Sequence, residues 1–188
     1  LPLAASLAAR GHEVIGVDSN KELVAALGRG ECPIEETGLE ETLRAAGNLF
    51  HAVDRLTELP EATFIVVPTP SKQDGGFDNA LVLGAARGVG VFLRDAAFYK
   101  LVVVVSTVMP GQTEETKRIL ESVSGKKCGL DFGLCYNPEF VALGSVLHDL
   151  QAPDFVLIGE SDGKAGRMLQ NILALGVPAY HTNFVNAE

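Results

Sequence analysis

The sequence has no excess of positive charge, no long apolar run, no paired cysteines and no Gly-rich phosphate turn, and each absence removes a class of function. Fifteen Lys and Arg stand against 24 Asp and Glu, a net charge of −9. A protein that grips nucleic acid through its phosphates needs a basic face, so nucleic acid is not expected as a partner. The greasiest run, Leu101 to Val105, is strand-length and is followed by Ser106-Thr107. That is far short of the ~20 apolar residues needed to span a bilayer, so no membrane partner is expected either. Cys32, Cys128 and Cys135 are odd in number and lack both C-x-x-C and metal-ligand spacing, which fits free thiols in a reducing cytoplasm. His12, His51, His148 and His181 share no spacing, so no metal site is expected. There is no repeat, low-complexity tract or long linker.

What is present is a chain of 188 residues, 47% hydrophobic and 21% charged, enough for one sizeable core and one compact domain. Leu1 to Arg10 has helical spacing and stops at Gly11. Glu13 to Asp18 reads as a buried strand ending in an acid, and Asn20-Lys21-Glu22 opens a helix to about Leu27. A short helix follows over Gly38 to Ala46, then strands at Leu49–Val53 and Thr63–Val67, the second halted by Pro68-Thr69-Pro70. Asn79 is read as the cap of a helix to about Arg94, and Lys100 to Ser106, with its four valines, as a central strand. Pro110-Gly111 turns the chain into a helix over Thr113–Ser122. Strands at Leu134–Tyr136 and Phe155–Ile158, a helix over Gly163–Leu173 and a strand at Ala179–His181 complete the series. The alternation predicts an α/β fold, a Rossmann-like doubly wound and mainly parallel sheet covered on both faces.

In such a fold ligands bind outside the carboxyl ends of strands. Asp18 ends a strand at the distance from the first helix where a dinucleotide-binding domain places the acid that bonds the adenosine ribose, although a helix-capping acid fits the spacing equally well. An acid there disfavours a 2′-phosphate, so NAD is expected rather than NADP. Val67-Pro68-Thr69-Pro70 and Ser106-Thr107-Val108-Met109-Pro110-Gly111 also lie at strand ends, where their hydroxyls can reach a cofactor or water; alone, each is commoner as a turn or cap. Asn137-Pro138-Glu139-Phe140 follows another strand, and Glu139 can move a proton near a reacting carbonyl or simply open a helix.

Taken together these segments resemble the NAD-binding domain of the UDP-glucose/GDP-mannose dehydrogenase family over nearly the whole chain. Gly11 to Asp18 is similar to its second strand, and Pro33-Ile34-Glu35-Glu36-Thr37-Gly38-Leu39 to its P-I-x-E-P-G-L loop. V-P-T-P, S-T-V-x-P-G and N-P-E-F follow in the family's order. The resemblance implies oxidation of the C6 alcohol of a UDP- or GDP-sugar to the uronic acid by two hydride transfers to NAD, through a cysteine-bound thioester. It places Asp18, Pro68, Thr69, Ser106 and Thr107 along the cofactor. Thr107 would also hold catalytic water, Glu139 would assist proton transfer or thioester hydrolysis, and Glu139, Phe140 and Val141 would meet the substrate. It further implies a cytoplasmic homodimer supplying uronic acids for envelope polysaccharide. Other dehydrogenases, of the 3-hydroxyacid or 6-phosphogluconate type, would share the strand ending in Asp18 but not both V-P-T-P and N-P-E-F; a non-catalytic nucleotide-binding module is the alternative of a different class.

The chain also departs from the family's pattern. None of its three cysteines matches the family's nucleophile, which the resemblance places in a later domain. Leu143 stands where the glucose-oxidising branch has a second Glu, and a leucine cannot carry a proton; in lacking that Glu the chain resembles the N-acetylmannosamine-oxidising branch, which leans the substrate toward an acetamido sugar. The sequence opens Leu1-Pro2-Leu3 and stops at Asn186-Ala187-Glu188, so both ends are expected to be cut. Residues 1–183 are read as the NAD-binding domain, without its first strand and Gly-rich turn, and 184–188 as the start of a helix linking it to a substrate domain. Without a central first strand the sheet is expected to open in the middle, leaving a polypeptide that is unstable or aggregation-prone by itself.

Overall fold

Alanine and leucine crowd every side of the first ten residues, and the helix they form buries Leu3, Ala5, Ser6, Leu7 and Ala8. In the computed structural model, which describes residues 1–73, 75–142 and 144–188, the elements in chain order are α1 (Pro2–Ala9), β1 (Val14–Val17), α2 (Lys21–Gly28), α3 (Leu39–Ala46), β2 (Phe50–Val53), β3 (Ala62–Ile65), α4 (Ala80–Arg94), β4 (Lys100–Val104), α5 (Gln112–Ser124), β5 (Phe132–Tyr136), α6 (Val146–Gln151), β6 (Val156–Glu160), α7 (Gly163–Leu173), β7 (Ala179–Thr182) and α8 (Phe184–Ala187). They group into two compact units, residues 1–57 with 140–154 and residues 58–139 with 155–188. Among the described residues no helix is long and apolar enough to cross a membrane.

The first unit holds a two-stranded parallel sheet, β1 beside β2, in register from Val14↔Phe50 to Val17↔Val53. Asn20 starts α2 as expected, its Oδ1 accepting from Glu22 N and Leu23 N. α1 packs on β1, α3 and α6, and Arg10 ties α1 to α6 by donating from Nη2 to Leu150 O at 2.9 Å. The second unit holds a five-stranded sheet in the order β3-β4-β5-β6-β7, parallel except between β5 and β6. β4 is central to the parallel part, and Leu101 to Val104 are fully buried, as a run with apolar residues on both faces requires. Alternation along the strands sends Val102, Val104, Phe132, Leu134 and Tyr136 into a core with α4, α5 and α8, while Ala165 of α7 lies over Gly133 on the other face. The β5–β6 ladder is short, with only Cys135↔Glu160 and Tyr136↔Gly159 paired.

The fold is the expected α/β, Rossmann-like one, with mostly parallel strands covered by helices. β1 is paired on one side only, by β2 in the first unit's sheet, and β3 on one side only, by β4 in the second unit's sheet. Several local features differ from the sequence reading, among them β1, expected to be buried, which leaves Ile15 and Val17 exposed. β3 and β4 each end two residues earlier than expected, at Ile65 and Val104, because the residues beyond leave the ladder to form the turns of the candidate site. Asn79 occupies the cap position of α4 without capping it: its Nδ2 donates instead to Thr107 O, and Asp78 Oδ1 takes Ala80 N. The six-residue α6 was not expected.

Candidate functional site

Strands β3, β4 and β5 are adjacent and parallel, so their carboxyl ends form one edge, and the three segments singled out from the sequence all start there. Hydrogen bonds beyond the ladder lock them together. Ser106, buried, bridges β3 and β4: its Oγ accepts from Val67 N at 2.8 Å and its hydroxyl donates to Val67 O at 2.8 Å. Asn137 N donates to Val104 O at 2.9 Å, and the Tyr136 hydroxyl meets the backbone of Val108. Burial raises the Tyr136 phenol above its ordinary pKa, with the Val108 contact opposing, so the group stays neutral at physiological pH. Thr69, Thr107 and Glu139 thus stand one or two residues beyond anchored positions, Thr107 with its side chain exposed, Thr69 and Glu139 half-buried.

Pro68, Thr69, Ser106, Thr107 and Glu139 all belong to the second unit, and Asp18, Phe140 and Val141 to the first. Asp18 is exposed just past β1, and its Oδ1 accepts from Asn20 N at 2.8 Å. Phe140 and Val141 are exposed apolar residues, and Leu143 lies outside the described residues. Four residues of the second unit's edge were not foreseen. Asn79 holds Thr107 O, Tyr136 holds Val108, and Asn137 donates from Nδ2 to Leu157 O at 3.2 Å. Glu188 sends its carboxylate to the start of α5. Only Asn137 carried a local signal, its place in N-P-E-F; the others act on residues 28 or more positions away.

Each unit by itself presents groups of a kind that a dinucleotide uses. An exposed carboxylate matches ribose hydroxyls, the exposed Thr107 hydroxyl sits on a fixed backbone, and Asn137 Oδ1 is a buried acceptor without a protein partner. The Gly-rich turn that would cradle the phosphates is not within this sequence. Burial pushes the thiols of both Cys135 and Cys128 above the ordinary range, away from the reactive thiolate. Among the described residues no group of three His, Cys, Asp or Glu can hold a metal ion. His181 is held structurally, Nδ1 2.6 Å from Glu160 Oε2 and Nε2 3.1 Å from Gln170 Oε1.

The chain is similar to known proteins in sequence and in fold. Residues 1–175 match the model of the UDP-glucose/GDP-mannose dehydrogenase family, NAD binding domain. A GDP-mannose 6-dehydrogenase from Pseudomonas syringae pv. syringae is 39% identical over 195 residues, covering 98% of this chain and 44% of the relative. A UDP-glucose dehydrogenase structure from the hyperthermophilic archaeon Pyrobaculum islandicum superposes with a TM-score of 0.89 at 36% identity, over 99% of this chain and 44% of that one. A UDP-D-ManNAc dehydrogenase from Pyrococcus horikoshii gives 0.91 at 26% identity, over 100% and 45%. The chain therefore spans less than half the length of the relatives it matches. With its sheet, its strand-end segments and 175 matched residues in agreement, the chain belongs to the UDP-glucose/GDP-mannose dehydrogenase family and constitutes NAD-binding-domain sequence of that family.

Proposed function

We propose that this chain serves the NAD-dependent oxidation of a nucleotide sugar at C6 to the uronic acid, with the nucleophilic cysteine supplied from outside these residues. One observation carries the reading: V-P-T-P, S-T-V-M-P-G and N-P-E-F leave the carboxyl ends of three adjacent parallel strands, with Ser106 bonded to Val67 and Asn137 N bonded to Val104 O at the end of β4. Bound NAD supplies the acceptor for each hydride. Asp18 takes the adenosine ribose hydroxyls, and its negative charge repels a 2′-phosphate. Pro68 and Thr69 line the cofactor, and Ser106 contributes by fixing Val67 rather than by contact, since its hydroxyl is committed to that residue. Thr107 holds a water from its rigid turn, and Glu139 receives or returns a proton. Phe140 and Val141 offer apolar surface to the sugar nucleotide.

The sugar is a UDP- or GDP-hexose. Identities of 39% to a GDP-mannose enzyme and 36% to a UDP-glucose enzyme, against 26% to a UDP-D-ManNAc enzyme, support a hexose ahead of the acetamido sugar to which Leu143 leaned. The whole protein acts in the cytoplasm as a homodimer, a reading supported by the family resemblance. The test is NADH production by the full-length protein with a panel of UDP- and GDP-sugars. Two NADH per molecule of a single sugar is the expected result; a folded, NAD-binding protein that reduces no cofactor with any of them overturns the proposal.

A further inference from the structure

Gly111 precedes α5 in a left-handed conformation, φ +89°, and has no side chain with which to cap the helix. The first amides of a helix lack intrahelical acceptors, and here two of the local N–H groups are satisfied from 75 or more residues away. Glu188 Oε2 accepts from Gly111 N at 2.5 Å and Oε1 from Thr113 N at 2.6 Å. Each carboxylate oxygen takes one amide, an arrangement of charge-assisted bonds at the positive end of a helix.

The arm that delivers this carboxylate is itself fixed. Asn183 Oδ1 accepts from Asn186 N to start α8, and Phe184 and Ala187 are buried in the core shared with Val108, Leu120 and Tyr136. Gly159 lets α8 approach the sheet: a Cβ there would fall 2.8 Å from Ala187 Cβ and 3.3 Å from Phe184 Cα. Glu188 N then bonds Phe184 O at 2.9 Å.

The segment that Glu188 grips is the one that presents Thr107. Its leading end is held by Asn79 Nδ2 on Thr107 O at 3.2 Å and by Ser106 on Val67; its middle is held by Tyr136 at Val108. Without Glu188 its trailing end, at Gly111, would lack a side-chain tether. We propose that Glu188 is a positioning residue for Thr107, closing the Thr107–Gly111 turn so that the threonine hydroxyl keeps its place in the reaction. The inference rests on the dehydrogenase reading above and extends it to Glu188, whose two side-chain oxygens are both committed to backbone amides.

The experiment uses the full-length protein with Glu188→Ala and Glu188→Gln, comparing kcat, KM for NAD and amide exchange across residues 108–116. Small displacements of a positioned group are costly, so Glu188→Ala is expected to lower kcat about tenfold. KM for NAD should stay within about twofold, because the ribose contact is untouched. Amides of Gly111 and Thr113 should exchange faster. Glu188→Gln keeps the shape and one acceptor oxygen and should recover turnover to within about threefold of the parent. A Glu188→Ala protein with unchanged kcat per folded molecule, or with unchanged exchange at Gly111 and Thr113, overturns the inference. Loss of NAD affinity and turnover in parallel also overturns it, since that is the signature of general unfolding. A parent protein that oxidises no sugar overturns the dehydrogenase reading instead, so the two failures are distinct.

Discussion

Replacing Gly159 by alanine measures how tightly α8 is seated. The new Cβ would lie 2.8 Å from Ala187 Cβ, 3.3 Å from Phe184 Cα and 3.4 Å from Asn183 O. Unstrained carbon contacts sit near ~3.5–4.0 Å, so α8 must retreat by about 1 Å from the sheet. Overpacking of this kind costs about 1–3 kcal/mol. Ala187→Gly alone removes a helix-favouring residue at about 1 kcal/mol. In the double variant the 2.8 Å contact no longer exists while the two longer ones persist, so the loss should fall short of the summed single losses by about 1 kcal/mol. The assay is native-state hydrogen exchange in the full-length protein at the amides of Ala187 and Glu188, which bond Asn183 O and Phe184 O and report local opening. Single losses that add to within about 0.5 kcal/mol would show that Gly159 and Ala187 do not meet, and would refute this account of the arm that carries Glu188.

Asp18→Ala in the full-length protein should raise KM for NAD about tenfold or more, with a smaller change in kcat, since a carboxylate–hydroxyl bond is lost only at the adenosine end; equal KM values would remove Asp18 from the cofactor site. Burial is the first cause of the raised pKa of Cys128, Cys135, Tyr99 and Tyr136, and it favours the protonated form of each in the folded state. Above the ordinary thiol range, near ~8.5, the unfolded chain sheds protons that the folded chain keeps, so stability should fall with rising pH, and a denaturant midpoint that is flat or rises from neutral into the alkaline range contradicts this. By the same reasoning alkylation of Cys135 should be negligible at neutral pH until denaturant is added. The 188-residue polypeptide by itself has a ladder on one side only of β1 and of β3, and it exposes 43% of Ile15 and 48% of Val17. It should therefore bind an apolar dye strongly, and a sharp cooperative melt with weak dye binding would count against that.

Local signals carried most of the fold. Four valines after Leu101 need cover on both faces and lie fully buried or nearly so, and Gly163–Leu173 is the helix its spacing indicated. Asn20 caps α2 because its oxygen finds amides two and three residues on. The strand-end segments were equally legible, since proline and hydroxyl residues interrupt apolar runs there. α6 was missed because six residues hold barely more than one turn, and Ser145 at its cap position makes no capping bond. Asn79 was misread for a different reason: its amide has a long-range partner in Thr107 O, which no local pattern encodes, and Asp78 performs the local task. Ser106 and Glu188 belong with it, their partners lying 39 and 75 or more residues away.

The short β5–β6 ladder sets the reach of the chain's last residues. β6 and β7 run against β5, so a full-length pairing would carry the end of β7 down toward the far edge of the sheet. Because pairing begins only at Tyr136↔Gly159, and Gly159 pairs with Thr182, the chain leaves β7 level with the carboxyl end of β5. One turn of helix then suffices to bring Glu188 to Gly111. A strand advances ~3.3 Å per residue, and sliding β6 by two residues, the smallest shift that keeps its faces, would move α8 by roughly 7 Å. The carboxylate would then miss both amides. The register of one reversed strand thus works as a gauge, calibrated to within a single pleat, for the distance between β7 and the turn that presents Thr107.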